Sequence, residues 1–348
     1  MARTPSPKNA AKGGPVTLGM VAEASGVSPS TVSRILNGTA IVSPEKRAAV
    51  DRAIAELGFV PNPIARGLAG GRTMSVGVIT QFIDSPFYGA ALRGIEDTLS
   101  EAGYSPLFVS GHWQAEVEQR CLDTLRGRRV DGLILLNARL ADAPLKALAK
   151  TLPTVVSGRS LKGPGLYALD FDNQSGARLA TQHLISLGHR EIAHIAGDTT
   201  HADARERLAG YQEALEAARI PFRPELVQAG DYKEEGGRSA TERLLAGPRR
   251  FTAVFAGNDQ MATGAAVALH RAGLRVPEDV SLVGFDDLAG AAYQTPPLTT
   301  VHQASFELGR LAAQALLELL AGNKPTVQLP EPRLIVREST AVPGNRVR

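Results

Sequence analysis

Four hydrogen-bonding side chains, Ser30, Thr31, Ser33 and Arg34, crowd one face of a short stretch whose other face is Val32, Ile35 and Leu36. Hydroxyls and a guanidinium grouped near a helix N-terminus are the donors a helix needs when it enters the DNA major groove. Ahead of them, Ala22 and Gly26 stand at the small and turn positions of a helix-turn-helix, where alanine lets two helices approach and glycine permits a sharp turn. An ordinary three-helix bundle with a solvated face is the competing reading. Charge favours DNA: residues 1–72 hold nine Lys/Arg against four Asp/Glu and the remainder 29 against 31, a head of +5 and a body of −2.

Other chemistries leave no such pattern. The seven histidines include no H-E-x-x-H or other metal spacing, so no metal site is expected, His189 and His194 included. There is no G-x-x-x-x-G-K-[ST], and no G-x-G-x-x-G after the first strand, so no nucleotide cofactor is expected. No serine sits in G-x-S-x-G with an ordered triad, which argues against catalysis. Cys121 is the single cysteine, the first residues lack the apolar core of a secretory signal, and no apolar run approaches the roughly 18–20 residues a membrane span needs. A soluble cytoplasmic protein without cofactor or membrane partner is the expectation.

Several elements must hold these residues in place. With 348 residues, 43% of them hydrophobic and 21% charged, the chain is long enough for two or three globular domains. Residues 1–15, rich in Pro, Gly, Ala and Lys, read as a disordered basic tail. Residues 16–60 read as three helices: 18–24, stopped by Gly26; a second opened by Ser28 and Pro29 and ended by Asn37-Gly38; a third opened by Ser43-Pro44-Glu45, with Val50, Ile54 and Leu57 inward and Gly58 as the stop. Residues 61–73 form a Pro/Gly-punctuated connector with a short helical possibility at 64–69. Beyond it, apolar runs at 76–80, 107–109, 133–136, 154–156, 192–196, 253–256 and 281–284 alternate with amphipathic stretches at 88–102, 175–187, 204–218 and 258–272. Buried strands separated by helices imply parallel α/β sheets, and so many elements imply two of them.

The segments VTLGMVAEASGVSPSTVSRILNG and VSPEKRAAVDRAIAELGFVPNPIARGLAG resemble the headpiece of the lactose repressor/galactose repressor family of bacterial transcription factors. The likeness continues through Ser85-Pro86-Phe87-Tyr88, Val130-Asp131-Gly132-Leu133-Ile134, Gly188-His189-Arg190-Glu191-Ile192-Ala193, Arg205-Glu206-Arg207-Leu208-Ala209-Gly210-Tyr211, Gly257-Asn258-Asp259-Gln260-Met261-Ala262, Val283-Gly284-Phe285-Asp286-Asp287 and Pro297-Leu298-Thr299-Thr300-Val301. It covers residues 17–340. The resemblance implies an all-α helix-turn-helix headpiece and a periplasmic-binding-protein-like core at 74–340, built of two doubly wound parallel-sheet subdomains joined by three crossovers. One would comprise 74–170 and 302–331, the other 172–300 and 332–340, with 341–348 as a tail.

Carried onto this sequence, the resemblance makes Pro29, Ser30 and Arg34 the positions facing base edges, Arg34 contacting a guanine or a phosphate. Ala65 and Leu68 become the hinge-helix residues of the minor groove, with Leu68 as the wedge. Thr17, Thr31, Ser33, Asn37 and Asn62 complete the expected DNA-facing set. The effector positions are Ser85, Phe87, Arg159, Phe171, Arg205, Tyr232, Asn258, Asp286 and Gln303. Trp113 either lines the cleft or packs under its loop; Asp286 either meets the ligand or caps a helix; Arg205 either meets it or pairs with Glu206 or Asp203. Carboxylate, guanidinium and carboxamide groups beside aromatic rings suit a sugar. The expected protein is a homodimeric, sugar-responsive repressor on a pseudo-palindromic double-stranded operator, since one head reads only a half-site. Residues 342–348 contain no heptad for a coiled-coil tetramer. The alternatives are a family member answering to a purine or phosphorylated metabolite, and a sugar-binding protein without DNA function.

Overall fold

The computed structural model describes residues 16–36, 41–60, 71–248 and 250–344. Asn37, Asn62, Ala65 and Leu68 therefore lie outside the described residues. The chain divides into two units, residues 1–74 and 75–348.

In the first unit, α1 (Leu18–Ser25), α2 (Pro29–Leu36) and α3 (Pro44–Leu57) bury Val21, Ala22, Val32, Ile35, Val50 and Ala53 against one another. Both α1 and α3 end in the same hydrogen-bonded closure. Gly26 at φ +65° donates its N–H to Glu23 O at 3.3 Å while Val27 donates to Ala22 O at 3.1 Å; Gly58 donates to Ala55 O at 3.4 Å while Phe59 donates to Ile54 O at 3.0 Å. Such closures satisfy carbonyls that a helix end leaves open and fix the exit of the chain. Phe59, just past Gly58, is 9% exposed and completes this core.

The second unit holds two sheets. The first, in the order β2-β1-β3-β4-β5, comprises β1 (Ser75–Thr80), β2 (Ser105–Ser110), β3 (Gly132–Leu135), β4 (Thr154–Ser157) and β5 (Leu166–Leu169), all parallel. Val76, Val78, Ile134 and Val155 face α4 (Pro86–Glu101) and α11 (Ser305–Leu320); Ile79, Leu133, Leu135 and Val156 face α5 (Ala115–Gly127) and α6 (Asp142–Ala149). Two covered faces explain why β1, β3 and β4 read as unbroken apolar runs.

The second sheet has the order β11-β10-β9-β8-β6-β7: β6 (Ile192–Ala196), β7 (Val227–Ala229), β8 (Ala253–Ala256), β9 (Ser281–Asp286), β10 (Thr299–His302) and β11 (Arg333–Ile335). Only β11 runs antiparallel to its neighbour. Ala193, Ile195 and Val254 face α9 (Glu234–Ala246) and α10 (Asp259–Arg271), whereas Ile192, Phe255, Val283 and Phe285 face α7 (Asn173–Ser186) and α8 (Ala202–Ala217). Strands β5, β7, β10 and β11 escape the apolar-run reading: β5, β7 and β11 are sheet edges with half-exposed residues, and β10 is rich in threonine.

The chain passes from the first sheet to the second at 170–172, back at 303–304 to place α11, and returns through 321–332 to β11. In each sheet the strand order reverses beside its first strand, β1 in one and β6 in the other. Open parallel sheets bind ligands outside the strand C-termini at such reversals. No helix among the described residues is long and apolar enough to cross a membrane.

Candidate functional site

The loops leaving the two reversal points line one cavity of about 200 Å³, whose wall also includes Ser85, Phe87 and Trp113 from the first half. Ser85 precedes α4 and makes no side-chain cap bond, and Phe87 packs edge-on against Tyr88 at 5.3 Å. Trp113 lines the cavity; it sits at φ +53° beside His112 at the same value, in the left-handed region that non-glycine residues seldom occupy. Its backbone N–H donates to Gln81 Oε1 at 2.6 Å, and Gln81 Nε2 donates to Glu118 Oε1 at 3.1 Å and to Leu136 O at 3.0 Å. Glu118 is fully buried, with its pKa raised by that burial. One buried carboxylate thus ties together the loops after β1, β2 and β3.

The second half supplies Tyr232, Asn258, Asp286 and, on two crossovers, Phe171 and Gln303. Arg207 lies at the centre, 4% exposed: its Nε donates to Asn173 Oδ1 at 3.0 Å, Nη2 to Gln303 Oε1 at 3.0 Å and Nη1 to Gly257 O, while its guanidinium lies 3.8 Å from the Phe285 ring centroid. Nη2 is also 3.8 Å from Asp286 Oδ1. Burial pushes the Asp286 carboxyl well above its ordinary range and Arg207 opposes that shift. Asp286 is no helix cap: it ends β9 at φ +108°, a strained setting of the kind that clusters at binding sites. Neighbouring Asp259, at the start of α10, is raised to about 7 by burial, against hydrogen bonds from Thr300 Oγ1 at 2.6 Å and Leu288 N at 2.8 Å.

Two polar atoms in this wall, Trp113 Nε1 and Tyr232 Oη, are buried without a hydrogen-bond partner among the described residues. A buried donor left unpaired costs about 1–3 kcal/mol, so both are places where a ligand gains. Tyr232 fits because residue 197 is glycine: a Cβ there would stand 2.2 Å from its Cζ. The Trp113 ring lies 4.6 Å from His201 and 5.9 Å from Tyr232, joining the two halves across the cavity mouth. Asn258 is largely committed to structure, accepting from Met261 N at 2.9 Å and donating to Tyr232 O at 3.0 Å.

Two expected residues lie elsewhere. Arg159 turns to the 138–142 segment, donating to Leu140 O at 2.7 Å and Asp142 Oδ1 at 3.1 Å, and lines a second cavity. Arg205 donates to Thr199 O at 2.9 Å and also lines that second cavity, pairing with neither Glu206 nor Asp203. The reason is helical phase. On α8 the buried stripe runs through Ala204, Arg207, Gly210, Tyr211 and Ala214, so residue 207 points inward and residue 205 does not. An arginine on an otherwise apolar stripe is the signal that identifies Arg207. Asn173, Tyr88 and Asp203 also line the first cavity and were not on the expected list.

In the head, Ser28 Oγ accepts from Thr31 N at 3.3 Å and opens α2. Thr17 accepts from Met20 N at 3.4 Å as the cap of α1. Pro29, Ser30 and Arg34 are exposed, and Thr31 and Ser33 half-buried, around the face opposite Val32 and Ile35.

A helix-turn-helix unit followed in the chain by a two-sheet α/β body with a ligand-sized cavity at its strand ends defines a class, the ligand-responsive DNA-binding regulators. A family model described as bacterial regulatory proteins, lacI family, matches residues 17–62, and one described as a periplasmic binding protein-like domain matches 181–340. The chain is similar to the regulator CelR of Thermobifida fusca (40% identity, 93% of this chain and 98% of that one) and to the ribose operon repressor of Escherichia coli K12 (39%, 90% and 94%). It is also similar to the HTH-type transcriptional repressor PurR of Haemophilus influenzae (36%, 93% and 98%). Among solved structures, a lac repressor dimer bound to operator matches with a TM-score of 0.84 at 32% identity over 94% of this chain and 100% of that one; a CelR–cellobiose complex matches at 0.70, 39%, 93% and 99%. The chain belongs to the LacI family of bacterial regulatory proteins and is a transcriptional regulator, not an enzyme.

Proposed function

We propose that this regulator represses carbohydrate-utilisation genes in the cytoplasm, acting as a homodimer whose operator affinity is set by a sugar in the first cavity. The observation that carries the sugar reading is the central polar group, in which Arg207 holds Asn173 and Gln303 in place beside the Asp286 carboxyl, walled by Phe87, Trp113 and Phe171. Vicinal hydroxyls match the first set and the C–H faces of a sugar ring match the second. Cellobiose in the related CelR structure supports the same class of ligand. Dimerisation is supported by a head with one reading helix and by an apolar surface in the body. Tyr293 is 86% exposed and Val267 41%, and the Gln294 side chain donates to Thr263 Oγ1 at 3.0 Å, tying the segment to α10 one turn before Val267. Ala65 and Leu68 keep their proposed minor-groove role, and the two halves of the body, moving about the crossovers, would transmit ligand binding to them.

Tyr232→Phe tests the ligand site. Its hydroxyl is buried without a hydrogen-bond partner among the described residues, with the Asp203 carboxylate acting on it, so the substitution takes little from the fold, and cognate sugar binding weakens by about 1 kcal/mol, roughly fivefold. Calorimetry after a thermal-shift screen of sugars and purines measures this. Unchanged sugar affinity contradicts the site, and stabilisation by a purine alone moves the assignment to the purine class.

A further inference from the structure

Beside the first cavity lies a second, of about 370 Å³, which shares Asn137, Gly158 and Asp203 with it. Ligand sites commonly occupy about 300–1,000 Å³. The first cavity alone falls short of that range and the two together lie inside it, so a ligand longer than one ring fits the shape.

The second cavity is a built site. Its floor, the 137–142 segment, is held from beneath by the buried Glu118, whose Oε2 accepts from Arg139 N at 2.7 Å and Leu140 N at 3.0 Å. Arg159 braces the same segment from the side through Leu140 O and Asp142. Fixed this way, the floor presents Arg139, and the opposite wall, the first turn of α8, presents Arg205. Burial holds the His201 pKa down, and both guanidiniums add to that while the Asp203 and Asp198 carboxylates oppose it.

Of the carboxylates nearby, Asp142 is ion-paired with Arg159 at 3.1 Å, whereas Asp198 and Asp203 accept backbone N–H bonds, from Thr200 at 2.8 Å and Ala204 at 2.9 Å, and keep their charge beside His201. The Arg139 side chain makes no hydrogen bond or ion pair among the described residues, and Arg205 donates only to a backbone carbonyl. Two like charges on opposing walls repel when the cleft narrows unless an anion sits between them.

Resting on the sugar reading above, we propose that the second cavity is an anion-accepting subsite: the effector is a sugar of at least two units whose distal unit carries a carboxylate or phosphate held between Arg139 and Arg205. An arginine fork on each side suits either group, since both accept paired N–H donors.

The test uses the full chain and matched disaccharides, each neutral, with a distal uronate, or with a distal phosphate monoester, ranked by thermal shift and measured by calorimetry. One anionic form is expected to bind at least tenfold tighter than its neutral partner, and which one identifies the source of the charge. In the double variant Arg139→Ala/Arg205→Ala the ratio of anionic to neutral affinity falls to near one, while operator binding by the free protein is retained. Equal binding of neutral and anionic forms by the parent overturns the subsite, as does a preference that survives in the double variant. If no sugar of any charge binds, the carbohydrate reading itself fails and the subsite fails with it.

Discussion

The imidazole of His194 lies stacked between Tyr211 and Phe255, with ring centroids 5.1 and 4.8 Å away, and its Nδ1 is 2.9 Å from Phe255 O. Burial lowers its pKa to about 4, so the unfolded chain takes the proton more readily than the folded one. The stability carried by the neutral ring is whole above the unfolded value of about 6.5 and is lost as pH falls toward 4, by roughly 3 kcal/mol in all. His194→Phe should remove that component, so that the stability of the parent relative to the variant falls as pH drops from about 6.5 toward 4. Asp259, raised to about 7, titrates there with the opposite sign, so the difference between parent and variant unfolding curves carries the test, and parallel curves contradict it. At this scale the sequence was partly legible. Phe171, Tyr232, Asp286 and Gln303, placed by the family resemblance, do line the first cavity. Arg159 and Arg205 do not, because a motif gives a residue's neighbourhood whereas helical phase and backbone carbonyls decide where a long side chain ends. The unpaired Tyr232 hydroxyl and the Glu118–Gln81 tie depend on contacts 30 or more residues apart and leave no local trace.

At the scale of elements, the turn between α1 and α2 depends on Gly26. A Cβ there meets nothing within 4 Å, so alanine brings no clash, only the cost of holding φ +65°, about 1–2 kcal/mol. Gly26→Ala should therefore lower the melting temperature of the head and weaken operator binding, leaving sugar affinity as in the parent. Equal operator affinity and melting would mean that the turn does not set the geometry of α2. Arg34→Ala addresses the reading helix itself: its loss should cost about 1–3 kcal/mol of operator affinity per half-site, with the fold kept, because the side chain is exposed opposite Val32 and Ile35. Unchanged affinity at fixed salt would remove Arg34 from the reading surface. The helices of the head were legible because capping residues, glycine stops and a strong 3.6-residue period coincide. Seven strands, six of them central, were legible as apolar runs, but a short edge strand such as β11, three residues with one side open, carries too little apolar pattern to be distinguished from a loop.

The whole molecule joins two independently built units, and its function requires that they be coupled. The first cavity lies between two sheets that the chain links three times, and ring contacts of Trp113 with His201 and Tyr232 join the halves there. A ligand that prefers one arrangement of the halves changes operator affinity by the ratio of its affinities for the two arrangements, and couplings of this kind run from about 5- to 150-fold. The decisive measurement is operator affinity, by fluorescence anisotropy at fixed salt on a selected pseudo-palindromic site, with and without saturating cognate sugar, in the parent and in Tyr232→Phe. At least a fivefold change is expected in the parent, and a matching change in the variant only at proportionally higher sugar. An operator affinity that stays the same at saturating sugar would contradict it.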